Sequence, residues 1–596
     1  MRRHCQPVYV LGTGLSHNGS ACLLRDGKVA VAIEKERLTR TKHDGGNDTD
    51  AITYCLRAEG IRYADLELVV QNANFGMFEF GNDWYRGRRI IDHTVPVVTI
   101  SHHLAHAFSA VGTCPFDGAV VLVIDGCGNA YDDCSDLAGA SVLETPPTGL
   151  EHLYFEKDSY YALTKKGLSS ICKDFSPWGR VNTNYPMHPT TTLHSIGGLY
   201  LAVSTYVFRG FEDPGKLMGL ASYGRRGVYD TPIFDLRDGR VFVRYEWMRA
   251  FVRPCRSLEQ FKADFQYFAD IARWTQDEVE RAVMYIVAAR SERSPHDNLA
   301  YAGGVALNAA INRSLVTCGP FKNVYIQPAA ADSGLALGCA YYGWTEVLGR
   351  RRVQHDGSTC FGARYEQDVI DDILKLYLGR ICVLKPLDYV GVVAHLLAEG
   401  KIVAWFHGPS EFGPRSLGHR SILADPRIPG VRDFINREIK QREDFRPFAP
   451  SVPDEECGTY FEICERSPYM LLVASVRDEW RPRLPSIVHR DGSARIQTVS
   501  AALDPIYHRL HLLFKELTGI SVLLNTSFNK RGMPIVESPK DAIDFFLEAP
   551  IDALSIGSSI VSRGLHKDGD SRNMEQGFRI NESRTMEQVY DSQCRY

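Results

Sequence analysis

Short apolar runs separated by glycine-containing turns open the chain and predict β-strands. Residues 8–11, 20–24 and 29–33 are apolar runs of strand length. Asp26-Gly27 joins the last two runs, and this dipeptide is typical of two-residue hairpin turns, because both of its residues tolerate a positive φ. The chain is therefore expected to begin with a small sheet that contains a hairpin.

Two later strands are predicted to end at residues suited to ligand binding. A fully apolar run ends at Asp125, and a strand predicted at residues 299–302 runs directly into Gly303-Gly304, before a helix with Asn308 near its start. Acidic and small residues at the carboxyl ends of sheet strands are where α/β proteins hold phosphates and metals. The glycine pair allows a ligand to approach the backbone and the helix N-terminus.

Helical periodicity recurs in both halves of the chain. Residues 275–290 carry an apolar helical stripe, with Thr275 and Glu278 predicted to form a capping box at its start. Residues 389–399 predict another helix, followed by a strand at 402–406. Strands alternating with helices favour an α/β fold class throughout.

Length and composition divide the chain and limit its partners. Its 596 residues exceed a single core, and a polar, turn-rich stretch near residue 360 predicts domains at 1–355 and 366–565, with a polar tail at 566–596. No apolar run approaches the roughly 20 residues of a membrane helix. The net charge of −4 argues against an extended nucleic-acid surface, and the fifteen cysteines contain no Cys-x-x-Cys pair. A cytoplasmic protein with no membrane and no nucleic-acid partner is expected.

Two histidines four residues apart form the sharpest local signal in the first half. On a helix, His102 and His106 lie on one face, as two ligands of one metal require. Asp125 and Asp332 at strand ends could complete the set, and mixed imidazole and carboxylate ligands suit iron, manganese or zinc. Taken alone, such a histidine pair is more often structural.

Basic residues concentrate in the second half beside rigid turns. Residues 411–420 and 436–450 combine arginine and lysine with Gly-Pro breaks and aromatic neighbours. A solvated charged face is one interpretation. Because arginine binds polyanions bidentately and the turns would fix it in place, a polyphosphate pocket is favoured.

These motifs, in this order, resemble those of the O-carbamoyltransferases of antibiotic and nodulation-factor biosynthesis, over about residues 8–565. The motifs that carry the resemblance are His17-Asn18-Gly19-Ser20-Ala21, Glu34-Lys35-Glu36-Arg37, Lys42-His43, His102-His103-Leu104-Ala105-His106-Ala107, Gly215-Lys216-Leu217-Met218-Gly219-Leu220-Ala221, Gly303-Gly304-Val305-Ala306-Leu307-Asn308, Gly413-Pro414-Arg415-Ser416-Leu417-Gly418-His419-Arg420-Ser421, Arg495-Ile496-Gln497-Thr498-Val499 and Leu524-Asn525-Thr526-Ser527-Phe528-Asn529.

The resemblance implies two active sites in two fused domains. The N-terminal domain would have the actin/sugar-kinase fold, like the tRNA threonylcarbamoyl transferase, and the C-terminal domain would be YrdC-like. In such proteins the C-terminal site converts carbamoyl phosphate and ATP, with Mg²⁺, to carbamoyl adenylate. The N-terminal site then transfers the carbamoyl group to a hydroxyl of a small molecule.

The resemblance also assigns roles to individual residues. It implies a general base at His17 and a contact from Lys42 to the adenylate, with iron held by His102, His106, Asp125 and Asp332. The catalytic pair of the C-terminal site would be Arg415 and Lys440, and the cofactor-binding residues would be Lys216, Gly303, Gly304, Asn308, Arg446, Arg495, Ser527 and Asn529. One departure concerns Asn18: many relatives have aspartate there, and an amide cannot stabilise an imidazolium by charge.

Other activities remain alternatives on the same architecture. A carbamoyltransferase with a macromolecular acceptor and a kinase or nucleotide-binding protein of the actin-like fold are both open, as is a homodimer. The hydrogenase-maturation carbamoyltransferase is set aside, because it adds Cys-x-x-Cys zinc fingers that this chain lacks. The acceptor is expected to contact variable loops within residues 74–91 and 154–193.

Overall fold

The computed structural model describes residues 6–16, 18–45, 47–73, 94–178, 191–209, 214–244, 246, 249, 251–463 and 465–564. The predicted polar tail at 566–596 lies outside this part of the chain. Within it, three large β-sheets and their flanking helices form a mixed α/β structure. The predicted α/β class is confirmed.

The first sheet contains the predicted hairpin at its edge. Its strands are β1 (Tyr9–Leu15), β2 (Ser20–Arg25), β3 (Lys28–Glu34), β4 (Leu68–Ala73) and β5 (Val97–Ile100), in the order β3-β2-β1-β4-β5. Asp26 and Gly27 join β2 to β3 with φ of 51° and 80°, as the predicted turn requires. The first strand runs on past residue 11, where a turn was predicted, because residues 12–15 pair with β4 and residues 12–14 also pair with β2.

The second sheet repeats the strand order of the first. Its strands are β6 (Ala119–Ile124), β7 (Ser141–Val142), β8 (Tyr154–Thr164), β9 (Gly167–Pro177), β12 (Asn298–Ala302) and β13 (Asn323–Ile326), with β10 (Phe234–Arg237) and β11 (Arg240–Val243) forming a separate hairpin. The order is β13-β12-β6-β8-β9-β7. As in the first sheet, two antiparallel strands follow the leading strand, and two later strands lie parallel to it on its other side. This duplicated order is that of the actin/sugar-kinase fold.

Helices cover both sheets of the N-terminal half. They are α1 (Lys35–Thr39), α2 (Thr49–Ala58), α3 (His102–Thr113), α4 (Ile196–Phe208), α5 (Pro214–Ala221), α6 (Leu258–Ala263), α7 (Phe265–Arg293), α8 (Ala309–Cys318) and α9 (Leu335–Tyr342). The predicted capping box at Thr275 and Glu278 is wrong, because α7 begins at Phe265. Inside this helix the Thr275 hydroxyl donates to the carbonyl of Ile271, and Glu278 accepts the backbone N–H of Ile233.

Helices α3 and α9 lie in contact between the two sheets. A Cβ placed on Gly338 of α9 would lie 1.7 Å from the carbonyl oxygen of Ala105 in α3. This close approach places Asp332, just before α9, beside the start of α3.

Replacing Gly338 with alanine is therefore expected to force the two helices apart. Overpacking of this kind lowers the free energy of unfolding by about 3 kcal/mol. Thermal or urea unfolding of the purified variant measures this loss of stability. Gly458→Ala is the matched control, because no atom lies within 4 Å of its Cβ position; equal stability of the two variants would contradict the packing argument.

The C-terminal half is built on one ten-stranded sheet. Its strands are β14 (Ile381–Leu384), β15 (Val403–Phe406), β16 (Arg420–Ala424), β17 (Ala449–Pro453), β18 (Phe461–Glu462), β19 (Leu472–Val476), β20 (Ser493–Val499), β21 (Leu523–Ser527), β22 (Ala553–Ile556) and β23 (Ser559–Arg563), in the order β14-β23-β22-β15-β16-β21-β17-β20-β19-β18. Its helices are α10 (Gln367–Lys375), α11 (Tyr389–Ala398), α12 (Val431–Phe434), α13 (Cys457–Tyr460), α14 (Pro505–Thr518) and α15 (Pro539–Glu548). The helix predicted at 389–399 and the strand predicted at 402–406 are confirmed.

The two halves share apolar cores. Phe445, Leu471 and Leu472 belong to the buried cluster that is otherwise formed by the second sheet and its helices. In the linker, the carbonyl of Phe361 accepts the backbone N–H of Ala32 from the first sheet, at 2.8 Å. Within the described part of the chain, none of the helices combines the length and apolar character that crossing a bilayer demands.

Candidate active sites

The four predicted metal ligands come together at one buried point. His102 and His106 lie in the first turns of α3, and Asp125 follows β6 directly. Asp332 opens the short turn that leads into α9. All four side chains are buried, and their ligand atoms lie within 4.8 Å of one another. We call these four residues, which could hold one metal ion, the metal cluster.

The donor atoms face each other at distances that suit a shared ion. The two Nε2 atoms of His102 and His106 lie 3.1 Å apart. Asp125 Oδ2 lies 2.8 Å from the first nitrogen and 3.3 Å from the second, and Asp332 Oδ1 lies 3.6 Å from both. Two imidazoles and two carboxylates are a donor set typical of divalent iron, manganese or zinc, so these residues fit a metal.

The carboxylates control the protonation of the cluster. Burial favours a neutral His106, but hydrogen bonds with Asp125 and Asp332 outweigh it and raise the pKa of this imidazole to about 9. Burial would raise the pKa of Asp125, whereas its hydrogen bonds with His102 and His106 hold it well below the usual value. Without a metal, the cluster therefore holds a proton at neutral pH.

Metal binding is expected to release this proton. Because a metal and a proton compete for His106, the affinity for Mn²⁺ should rise by about ten-fold per pH unit from pH 6 to pH 8 and level off near pH 9. Isothermal titration in buffers of different ionisation enthalpy measures both the affinity and the proton release. Asp332→Asn removes one of the charges that favour the proton, so its slope should be shallower; a pH-independent affinity of the unmodified protein would contradict the argument.

The glycine pair touches the metal cluster directly. Gly304 donates its N–H to Asp125 Oδ1 at 3.0 Å, and a Cβ on Gly303, at a φ of 89°, would lie 2.3 Å from the Ile124 carbonyl. Only glycine fits this approach between β12 and β6. Asn308 has a structural contact here, since its side chain caps α8 by accepting the N–H of Ile311.

A buried polar network lies behind the cluster, and sequence reasoning missed it. The side-chain oxygen of Asn129 accepts the His102 N–H at 2.7 Å, and Glu156 accepts the Asn129 N–H at 3.0 Å. Lys173 then pairs with Glu156 and with Asp136. Glu156 and Lys173 belong to the hairpin β8–β9, so this part of the region expected to be acceptor loops is instead sheet; residues 74–93 and 179–190 lie outside the described residues.

The segment after β3 carries the predicted contact to the adenylate. Lys42 pairs with Glu36, with Nζ and Oε1 2.9 Å apart, and Glu36 also accepts the N–H of His43. His43 Nδ1 lies 2.9 Å from Asn18 Oδ1. Asn18 therefore contacts the imidazole of His43, whereas the predicted base, His17, lies outside the described residues.

Five cations gather in the C-terminal half and form what we call the cationic cluster: Arg415, Lys440, Arg442, Arg446 and Arg495. They lie in the loop between β15 and β16, in the segment before β17, and in β20. Burial and then the charge of Arg446 lower the pKa of Arg415 to about 10. Burial first, and neighbouring guanidinium groups second, also lower the pKa of Lys440, Arg442 and Arg495 well below their usual values. Such crowding of positive charge favours the binding of an anion.

Two arginines of this cluster have unused hydrogen-bonding capacity. The buried Nε atoms of Arg415 and Arg495 have no hydrogen-bond partner among the described residues. Lys440 differs, because its ammonium contacts the oxygens of Ser527 and Asn529 at 2.6–3.0 Å. It therefore holds the turn after β21 beside the arginines.

Lys216 lies at the junction of the two halves. Its ammonium is 3.5 Å from Glu443 Oε1 and 5.6 Å from the ring centre of Phe208. That ring stacks at 6.2 Å on Phe445, which directly precedes Arg446. Lys216 thus contacts the segment that carries three members of the cationic cluster.

The predicted residues therefore separate into two groups. The structure brings together the metal ligands with Gly303 and Gly304, and separately Arg415, Lys440, Arg446, Arg495, Ser527 and Asn529. Arg442 was not among the predicted site residues; its position two residues after Lys440 was the available signal.

Comparison with known proteins adds the family. The family model for the carbamoyltransferase N-terminus matches residues 10–80 and 82–341, and the model for the carbamoyltransferase C-terminus matches residues 394–563. Together they span most of the chain.

Curated relatives agree with the family models. Nodulation protein NolNO of Sinorhizobium fredii is 32% identical over 591 residues, covering 92% of this chain and 79% of that protein. The 3'-hydroxymethylcephem-O-carbamoyltransferase of Amycolatopsis lactamdurans is 32% identical over 371 residues, covering 59% of this chain and 65% of that protein. An uncharacterised protein of Synechocystis, sll1178, is 33% identical and covers 93% of this chain and 97% of its own length.

Solved structures are more distant. HypF of T. kodakarensis has a TM-score of 0.37 and 15% identity, with 58% of this chain and 50% of that chain covered. A similarity of this size carries no weight for the fold or the function. The family models and the relatives show that the chain belongs to the carbamoyltransferase family and is a carbamoyltransferase.

Proposed function

We propose that this carbamoyltransferase is ATP-dependent and places the carbamoyl group on a hydroxyl of a small molecule. The observation that carries the proposal is the presence, in one chain of this family, of a cationic cluster with unpaired arginine N–H groups and of a separate buried histidine–aspartate cluster. The first suits activation of a phosphorylated donor, and the second suits a transfer step.

In the C-terminal half, the arginines would bind carbamoyl phosphate and the phosphates of ATP, which enters with Mg²⁺. Water releases inorganic phosphate from carbamoyl phosphate, an oxygen of the resulting carbamate attacks the α-phosphorus of ATP, and pyrophosphate leaves. Charge develops on the phosphoryl oxygens during this displacement, and guanidinium groups already in position stabilise it. Lys440 keeps Ser527 and Asn529 at this site.

In the N-terminal half, the acceptor hydroxyl would attack the carbamoyl carbon of the adenylate, and AMP would leave. A metal held by His102, His106, Asp125 and Asp332, iron by the family resemblance, would supply Lewis-acid stabilisation of the adenylate phosphate. Gly303 and Gly304, which lie beside these ligands, would contact the nucleotide through their backbone. Lys42 and the predicted base His17 complete the proposal.

The acceptor belongs to the proposal as a chemical class only. NolNO is by its name a nodulation protein and the Amycolatopsis enzyme acts on a hydroxymethylcephem, so a small hydroxylated natural product is the class we propose here.

Formation of carbamoyl adenylate without an acceptor tests whether donor activation and carbamoyl transfer take place at separate sites. Purified protein with carbamoyl phosphate, ATP and Mg²⁺ is expected to form carbamoyl adenylate and pyrophosphate without any acceptor. Exchange of labelled pyrophosphate into ATP, dependent on carbamoyl phosphate, measures it with high sensitivity. Release of pyrophosphate only when an acceptor is present would contradict a separate activation site.

A further inference from the structure

One buried ion pair of the N-terminal half reaches into the loop that carries Arg415. Arg37 is 1% exposed and Glu34 is 6% exposed, and Arg37 Nε lies 2.9 Å from Glu34 Oε2. Glu34 is the last residue of β3 and the N-cap of α1, and Arg37 lies within this helix. Neither belongs to the metal cluster or to the cationic cluster.

The ion pair binds both backbone groups of a single residue. Gly413 donates its N–H to Glu34 Oε1 at 2.5 Å, and its carbonyl accepts from Arg37 at 2.6 Å. Gly413 has a φ of 115°, and a Cβ there would lie 3.2 Å from the carbonyl of Pro328. The loop that carries Arg415 therefore meets the N-terminal half at Gly413, whose N–H and carbonyl are both hydrogen-bonded to the ion pair.

A second anchor holds the other end of the same loop. Glu411 Oε1 accepts the N–H groups of Leu417 and His419 at 2.6 and 2.8 Å, and Gln497 donates to the carbonyl of Leu417 at 2.6 Å. Arg415 lies midway between these anchors. Its Nε has no hydrogen-bond partner among the described residues, and the backbone anchors fix the position from which its side chain extends.

The same short helix also contacts the predicted transfer site. Glu36, between Glu34 and Arg37, accepts from Lys42 and from the N–H of His43. The segment therefore binds the Arg415 loop through two residues and the Lys42 segment through the residue between them.

We infer that Glu34 and Arg37 are positioning residues of the C-terminal anion site, supplied by the N-terminal domain. The ion pair fixes Gly413 and thereby places the Arg415 guanidinium for binding the phosphate of carbamoyl phosphate. This inference rests on the proposed function for the identity of the substrate, but the anion site itself is defined by the cationic cluster.

The double variant Glu34→Gln/Arg37→Met tests the inference in the full-length protein. Removing both charges avoids leaving one charge buried and unpaired, which would be strongly destabilising. Inorganic pyrophosphate is the probe, with its Kd measured by calorimetry. The Kd is expected to rise by about ten-fold or more, since a small displacement of an anchoring group is enough for such a loss.

Arg40→Met is the matched control. Arg40 also extends from the end of α1 to the C-terminal half, where it donates to the carbonyls of Pro534 and Ile535 at 2.8 and 2.7 Å, outside the Arg415 loop. Its pyrophosphate Kd should stay within about two-fold of that of the unmodified protein, because Arg40 connects the two halves without contacting the loop that carries Arg415. An equal loss of pyrophosphate affinity in Arg40→Met would overturn the inference, because it would show that disturbing any contact between the two halves weakens anion binding.

Two further measurements separate this inference from the proposed function. If the exchange reaction occurs, the double variant should raise KM for carbamoyl phosphate more than it lowers kcat. If the unmodified protein shows no exchange, the proposed function fails while the pyrophosphate comparison still decides the inference. Should the double variant not fold, Arg37→Lys keeps a positive charge beside Glu34 but replaces the two guanidinium nitrogens that contact Glu34 and the Gly413 carbonyl with a single ammonium. It is expected to weaken pyrophosphate binding, and unchanged binding in this folded variant would overturn the inference.

Discussion

Replacing His106 with alanine is expected to abolish carbamoyl transfer to an acceptor and to spare the exchange of pyrophosphate into ATP. The imidazole supplies one of four donor atoms at the buried metal cluster and lies 3.1 Å from its partner nitrogen on His102. Loss of one such ligand removes the metal, whereas the cationic cluster belongs to another domain. Metal analysis of the purified variant and separate assays of the two half-reactions measure this.

His103→Gln is the control for helix α3. His103 follows His102 directly and is buried, but its Nδ1 pairs with Ser159 at 2.8 Å and lies outside the metal cluster. This variant should retain the metal. If His106→Ala kept full transfer activity, the histidine–aspartate cluster would have no place in the mechanism.

Replacing Arg415 with alanine should have the opposite effect. The formation of carbamoyl adenylate is expected to fall by about 100-fold or more, since one donor aimed at a charge developing in the transition state commonly contributes that much. The metal content should not change, because no metal ligand lies in this loop. Exchange kinetics over a range of carbamoyl phosphate concentrations measure the loss.

The control removes a surface arginine of the same domain. Arg466 has a side chain that is 77% exposed and pairs with Asp454. Arg466→Ala should retain normal exchange. An Arg415→Ala protein with unchanged exchange would show that the C-terminal site is assigned to the wrong residues.

Local patterns in the sequence predicted the metal ligands and the basic segments that carry Arg415, Lys440 and Arg446, whereas Arg495 followed from the family resemblance. Two histidines four apart meet on any helix, and Asp125 follows an apolar run that could only be a buried strand. Each prediction needed only the geometry of one element. To predict that these residues meet in space, the family resemblance was also needed. Asp332 is the metal ligand farthest along the chain from His102, and no local pattern links the two residues.

Other features depend on contacts that no local pattern encodes. Arg37 binds Gly413 across 376 positions, and neither residue type by itself predicts that contact. The duplicated sheet order followed only from the family resemblance, because long insertions such as α7 remove any fixed period from the sequence. The start of α7 was mispredicted because a threonine inside a helix can bond to the preceding turn and still resemble a cap.

The insertion of Phe445, Leu471 and Leu472 into a cluster built by the other domain limits how this protein can be divided. A chain severed between the halves would leave three large side chains facing water on one fragment and a gap of matching shape on the other. The two halves are therefore expected to unfold together, which would keep the carbamoyl adenylate that we propose inside one folded protein.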